Sequence, residues 1–242
     1  CEGSVMINLI QGDCLEVMKD IPDGSIDMVL TDPPYGTTAC KWDSVIPFEP
    51  MWEQLKRITK PSGAIVLTAS QPFTSTLIIS NIKQFKYCWV WEKNKATGHL
   101  NAKKQPMNSY EDVVVFYKKQ CEYNPQFGTG KAYSNNHKEG DEGECYGKTK
   151  GSSVSNITTR YPRRNIRFNV DIKASFHPTQ KPVALMEYLI KTYTNESETV
   201  LDFTMGSGTT GVAAKNLNRG FIGIELDETY FNIARERING KD

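Results

Sequence analysis

The chain has few of the residues that build metal or disulfide frameworks, and those it has are scattered. Its six cysteines stand at positions 1, 14, 40, 88, 121 and 145 with no Cys-x-x-Cys pair, and its three histidines are His99, His137 and His177. Zinc sites draw on closely spaced ligand pairs, so this spacing argues against a metal centre. Dispersed thiols suit a reducing, cytoplasmic compartment better than a disulfide framework. No apolar run approaches the roughly 18 residues of a membrane span, and no basic-then-apolar leader opens the chain. Residues 1–5 precede Met6 and are either an addition or the trace of an upstream start, so the fold is read from Met6. Nor is there an excess of charge of one sign, with 29 Lys and Arg against 28 Asp and Glu. That balance neither favours nor excludes a nucleic-acid partner, because local distribution matters more than the total.

What is present is a regular alternation. The 242 residues can bury one substantial core with room for an insertion. Short apolar runs at Ile7–Ile10, Ile26–Thr31, Ala64–Thr68, Tyr87–Trp91, Val113–Tyr117, Thr199–Asp202 and Phe221–Ile224 predict strands. Several are nearly continuous in Val, Ile and Leu, as in strands covered on both faces. Between them, helices are predicted over Phe48–Thr59, Phe73–Asn81, Pro182–Tyr193, Thr210–Leu217 and Glu228–Ile238. Strands alternating with helices imply an α/β fold with a mostly parallel sheet. The alternation breaks from Lys118 to Phe176, a stretch rich in Gly, Ser, Asn, Lys and Arg without aliphatic periodicity. A structureless segment of that length in a compact domain is either functional or disordered. From Lys118 to Lys173 it carries eleven Lys or Arg against six Asp or Glu, with Arg160, Arg163, Arg164 and Arg167 close together.

Two segments carry chemistry. The first, Leu30-Thr31-Asp32-Pro33-Pro34-Tyr35-Gly36, follows an apolar strand. Proline fixes its own φ, lacks an N–H and pushes the preceding residue toward extended geometry, so Asp-Pro-Pro ends a strand whatever its purpose. Adding Tyr35 sets a flat ring beside a carboxylate and two stiff carbonyls, a cradle suited to a planar amine. The second segment is Asp202-Phe203-Thr204-Met205-Gly206-Ser207-Gly208-Thr209-Thr210, a strand end running through Gly-x-Gly into a helix. Such glycines allow a tight turn and close approach of a ligand to the backbone, and the helix start adds unpaired N–H groups. Glu225 ends the next strand, about 20 residues on, where an acid can accept bonds from ribose hydroxyls. With Gly211, the glycines also satisfy G-x-G-x-x-G, so a nicotinamide or flavin enzyme stays open at this point.

Taken together, Asp32-Pro33-Pro34-Tyr35 first and Asp202 to Thr210 late resemble the beta group of S-adenosylmethionine-dependent DNA amino-methyltransferases. His177-Pro178-Thr179-Gln180-Lys181-Pro182, Gly12-Asp13-Cys14 and Asn108-Ser109-Tyr110-Glu111 are similar to further segments of that family, so the resemblance extends over most of the chain. It implies a three-layer Rossmann-like fold with a twisted seven-stranded sheet and a target-recognition insertion. Residues 6–117 would form the catalytic half, 118–176 the insertion and 177–242 the cofactor half. The implied cofactor is S-adenosylmethionine, with Gly206, Ser207, Gly208 and Thr209 around its methionine part, Glu225 at the ribose, and Asp13 with Cys14 at the adenine. Thr179 and Lys181 would lie near the methionine carboxylate, with Asp32 and Asp202 bordering the same pocket. The family's aromatic stands two residues after the strand-end aspartate; here Phe203 follows directly and Thr204 takes that place. Either Phe203 turns into the site or Thr204 lines it.

The chemistry implied is transfer of a methyl group to the N6 amine of adenine in double-stranded DNA, or to N4 of cytosine. Asp32 and the Pro33 carbonyl would accept the amine's N–H bonds, Pro34 would stiffen the turn, and Tyr35 would stack on the flipped base. Within the family an aspartate at the first position leans toward adenine. Lys41, Trp42, Arg160, Arg163, Arg164 and Arg167 are the candidate DNA contacts, with Tyr146, Tyr161 and Phe168 either wedging bases or packing. The resemblance points to a prokaryotic or phage setting, no membrane, and a homodimer or a cognate restriction endonuclease as possible partners. A binding module without turnover and a nicotinamide-dependent oxidoreductase are the competing classes.

Overall fold

The computed structural model describes residues 5–37, 43–137, 152–170 and 180–240. Strands β1 (Ile7–Gln11), β2 (Ile26–Thr31), β3 (Thr59–Ala69), β4 (Phe85–Thr97), β5 (Asn108–Phe116), β9 (Thr199–Asp202) and β10 (Gly220–Glu225) are the seven expected from the apolar runs. An eighth, β8 (Asn165–Arg167), joins them. The sheet order is β1-β10-β9-β2-β3-β5-β4-β8. Only β5 runs against its neighbours. The count of eight rather than seven has a simple cause: β8 is short and polar, yet it covers the outer backbone edge of β4, pairing Trp91 with Ile166.

Helices α1 (Cys14–Val17), α2 (Phe48–Ile58) and α3 (Phe73–Ser80) lie on one face, and α4 (Val183–Tyr193), α5 (Thr209–Asn216) and α6 (Glu228–Asn239) on the other. The pleat divides the strand residues between the two. Val113 and Val115 pack with Leu185, Leu189 and Ala213, whereas Val114 and Phe116 pack with Trp52, Leu55 and Phe73. This is why the apolar runs are continuous rather than alternating. Among the described residues no helix is long and apolar enough to cross a membrane.

A second compact unit spans Pro125–Arg163. Here the irregular stretch contains an antiparallel hairpin, β6 (Gly128–His137) with β7 (Ser152–Arg160), in which Gly128 faces Arg160 and Thr129 faces Thr159. Its strands went unread because periodicity in sequence reports a buried face, and these strands are largely exposed. The unit is narrower than residues 118–176, since β8 belongs to the main sheet.

Candidate active site

The parallel part of the sheet sets the site. From β2 the chain crosses to β3 on one side, and from β9 it crosses to β10 on the other. The strand order therefore reverses between β9 and β2, where open α/β sheets leave a crevice at the strands' C-terminal ends. Asp13, Glu225, Asp202 and Asp32 stand at the ends of the four adjacent strands β1, β10, β9 and β2.

Thr31 Oγ1 donates to Asp202 Oδ1 at 2.6 Å and lies 2.7 Å from Thr204 Oγ1. The Thr204 N–H donates to the same Asp202 oxygen at 3.1 Å, and its hydroxyl lies 3.2 Å from the Asp32 carbonyl. The two sequence segments are thus stitched together at their strand ends. Phe203 is 1% exposed and packs in the core with Ile222 and Leu201, whereas Thr204 is partly buried and meets the Asp32 segment. A phenyl ring beside this core gains more by burial than by turning into a polar crevice. Burial raises the Asp202 carboxyl to about 6 against the hydrogen bonds from Thr31, Thr210 and the Thr204 N–H, with nearby Asp32 adding to the rise.

Asp32 is held from several directions. Tyr35 Oη lies 2.7 Å from Asp32 Oδ1 and 2.9 Å from Thr68 Oγ1, and the Thr68 hydroxyl also donates to Asp32 Oδ1. Lys181 Nζ donates to Asp32 Oδ2 at 2.7 Å. The same ammonium lies 3.2 Å from Glu111 Oε2, and Lys93 Nζ lies 3.1 Å from Glu111 Oε1. Burial works against the Lys181 charge, but Asp32 and Glu111 outweigh it and hold its pKa above the ordinary lysine value. Burial, with Asp32 and Glu111 behind it, pushes the Tyr35 hydroxyl well above the ordinary tyrosine range. Tyr35 stacks on Phe73 with centroids 5.2 Å apart and planes at 25°, leaving at most one ring face for a base. Pro33 is buried and Pro34 half-buried. After the turn, Asp43 accepts from the Gly36 and Thr37 N–H groups at 2.8 and 2.9 Å, fixing the segment that follows Tyr35.

The glycine turn is built from two different demands. Gly208 has φ +81°, and a Cβ there would meet Ala234 of α6 at 2.9 Å. Gly206 has φ +52° and nothing within 4 Å of the place a Cβ would take, so its turn opens onto free space. Glu225 Oε2 accepts from the Gly206 N–H at 2.8 Å and Oε1 from the Asp227 N–H at 2.9 Å. Each oxygen keeps a second lone pair for a ligand hydroxyl. Burial raises the Glu225 carboxyl above its ordinary value. Ser207 meets Gln180 Oε1 at 3.2 Å and accepts from Arg237 at 2.9 Å. Thr209 is buried at the start of α5, 3.5 Å from the same guanidinium.

Beside Glu225, the Gly12 N–H donates to the Glu225 carbonyl at 2.9 Å, which brings Asp13 to the end of β10. Asp13 is exposed and caps α1 through the Leu15 N–H at 2.8 Å. Cys14 is partly buried, and burial followed by Asp13 raises its thiol to about 12. An open glycine turn flanked by carboxylates with spare lone pairs fits a cationic, hydroxyl-bearing adenosine ligand.

The basic candidates are divided. Arg160 and Arg163 belong to the hairpin unit, and Arg164 and Arg167 to the main unit. Arg160 lies over the Tyr133 ring at 4.4 Å, Arg164 over Tyr87 at 5.3 Å, and Arg167 pairs with Glu92. Tyr161 packs edge-on against Phe127, and Phe168 packs against Tyr188. Lys41, Trp42, Tyr146 and Thr179 lie outside the described residues. Sequence reasoning missed Thr31, Thr68 and Lys93 because each acts through a partner distant in the chain, and Asp43 because its partners are backbone N–H groups, which leave no side-chain signal.

A family model described as DNA methylase, of the N6/N4 type, matches residues 26–236. The chain belongs to this family. It is 30% identical over 254 residues to the type II methyltransferase M.BglII of Bacillus subtilis, covering 96% of this chain and 69% of that protein. The solved structure of an M1.HpyAVI–SAM complex is 28% identical with TM-score 0.66, covering 96% of this chain and all of the other. The PvuII cytosine-N4-specific DNA methyltransferase shares the fold at 16% identity and TM-score 0.70, over 99% of this chain and 88% of that one. The chain is thus a DNA methyltransferase with the Rossmann-like fold of that enzyme class.

Proposed function

We propose that this DNA methyltransferase transfers a methyl group to the N6 amine of a flipped-out adenine. Its cofactor is S-adenosylmethionine, which supplies an electrophilic methyl on a sulfonium. The observation that carries the reading is the Asp32 carboxylate, 26% exposed at the end of β2, where Thr31 bonds to Asp202 and Thr204 to the Asp32 main-chain carbonyl.

Asp32 accepts one N–H of the target amine and the Pro33 carbonyl the other, turning the nitrogen lone pair toward the methyl carbon. The nitrogen gains that carbon as the carbon–sulfur bond breaks, the bonding pair stays on sulfur, and one proton leaves the nitrogen by way of Asp32 to water. Positioning and fixed charge supply the acceleration. Tyr35 stacks on the base with the ring face turned away from Phe73, a contact of about 1–3 kcal/mol. Asp13 and Cys14 serve the adenine end of the cofactor, Glu225 the ribose, and Gly206 to Thr209 with Asp202 and Thr204 the remainder. Residues 6–117 and 177–242 form the two halves of the catalytic unit, and within 118–176 the Pro125–Arg163 unit serves as the target-recognition insertion while β8 stays with the main sheet.

Labelled S-adenosylmethionine and random-sequence DNA, digested to nucleosides, test this directly. Label in N6-methyldeoxyadenosine is the expected result. Label in N4-methyldeoxycytidine would move the substrate and keep the mechanism, whereas bound but untransferred cofactor would favour a module without turnover.

Neutralising Arg163 and Arg164 together is expected to weaken DNA binding and flatten its dependence on log salt by about 2, roughly 0.9 per phosphate contact. Binding titrations from low to moderate salt measure both. An unchanged slope would remove the pair from the DNA footprint.

A further inference from the structure

We infer that Lys181, backed by Glu111, is a positioning residue that holds the Asp32 carboxylate in its reacting orientation. The inference rests on the reading of Asp32 as acceptor of the target amine. Lys181 is 6% exposed and its ammonium bridges Asp32 Oδ2 at 2.7 Å and Glu111 Oε2 at 3.2 Å. Glu111 is closed off behind by Lys93 at 3.1 Å. Charges therefore alternate along Lys93, Glu111, Lys181 and Asp32, drawn from β4, β5, the segment before α4 and the end of β2. Each member reaches the next between separate elements rather than along the chain.

The chain of charges divides the labour of the two Asp32 oxygens. Oδ1 faces the hydroxyls of Tyr35 and Thr68. Oδ2 meets only Lys181 among the described residues, which leaves it a lone pair for the amine. A carboxylate gripped by neutral hydroxyls on one oxygen and a charged donor on the other has no freedom to rotate about its Cβ–Cγ bond. Lys181 also stands 5.7 Å from the Tyr35 ring centre, so it orders the stacking platform as well as the acceptor. The motif Asn108-Ser109-Tyr110-Glu111, which the amine chemistry alone leaves without a task, here supplies the anchor for Lys181.

This differs from a lysine that binds the methionine carboxylate, and the difference is measurable. Lys181→Met is expected to lower kcat by about 100-fold, the scale of a small misplacement at the reacting centre. The cofactor Kd is expected to stay within about threefold. Lys181→Arg is expected to recover part of kcat. Glu111→Gln is expected to lower kcat about tenfold, and the double variant Lys181→Met with Glu111→Gln to be no slower than Lys181→Met alone.

A cofactor Kd that weakens in step with kcat would overturn the positioning role in favour of carboxylate binding. Unchanged kcat in Lys181→Met, or losses that simply add in the double variant, would also overturn it. If Lys181→Met fails to fold, Lys181→Arg and Glu111→Gln carry the comparison. A wild-type enzyme that transfers label normally while Asp32 variants do the same would defeat the underlying reading instead.

Discussion

Replacing Asp32 with alanine is expected to cut methyl transfer by about 100- to 1,000-fold, in line with loss of a preorganised polar group at a reacting centre. Cofactor affinity is expected to change by less than about tenfold, because the glycine turn and Glu225 are held by their own contacts. Glu225 is fixed by the N–H groups of Gly206 and Asp227, and neither depends on Asp32. The fold is also expected to survive. Lys181 loses one counter-charge but keeps Glu111 at 3.2 Å, so no buried ammonium is left unpaired. Asp32→Asn sharpens the test, since it keeps the shape at the end of β2 and removes the charge. Single-turnover transfer of labelled methyl, beside a cofactor titration and a melting curve, separates chemistry from binding and folding. Near-normal transfer by either variant would mean that the amine is held elsewhere.

The glycine turn gives the second large effect, through a contrast between neighbours. Gly208→Ala is expected to destabilise the fold by about 2–5 kcal/mol. Left-handed backbone costs an L-residue about 1–2 kcal/mol, and the new Cβ would press on Ala234 in a packed interface, adding about 1–3 kcal/mol. At about 2–4 °C per kcal/mol for a chain of this size, the melting temperature falls by roughly 4–20 °C. Gly206→Ala carries the backbone cost alone, because nothing stands where its Cβ would go. It is expected to melt only a few degrees early, yet to bind cofactor at least about tenfold more weakly. Melting curves without cofactor, followed by titration of each variant, make the comparison. Full affinity in Gly206→Ala would remove this turn from the cofactor site.

The two glycines look alike in the sequence Met205-Gly206-Ser207-Gly208. Only the approach of α6 makes Gly208 a packing requirement, with Ala234 at 2.9 Å and Ile238 at 3.0 Å from a Cβ built there, and leaves Gly206 free to face a ligand. Phe203 and Thr204 show the same division. Side by side in the sequence, Phe203 takes a buried place beside Ile222 and Leu201 while Thr204 meets the Asp32 carbonyl.

Local sequence was enough to place seven of the eight strands of the main sheet, five of the six α-helices among the described residues, the order of the two motifs and the family. The omitted helix, α1, is a single turn of four residues. Those features are local: a covered strand is a continuous apolar run, a helix an apolar stripe, and a strand-ending turn a pair of prolines or glycines. Only the tertiary structure shows that Lys181 joins Asp32 to Glu111, that Thr68 bonds to Asp32 and Thr31 to Asp202, and that the arginine cluster is divided between two units. It alone revealed the exposed hairpin of β6 and β7. Contacts across parallel strands join residues far apart in the chain, and an exposed strand buries no face that could print a period in the sequence.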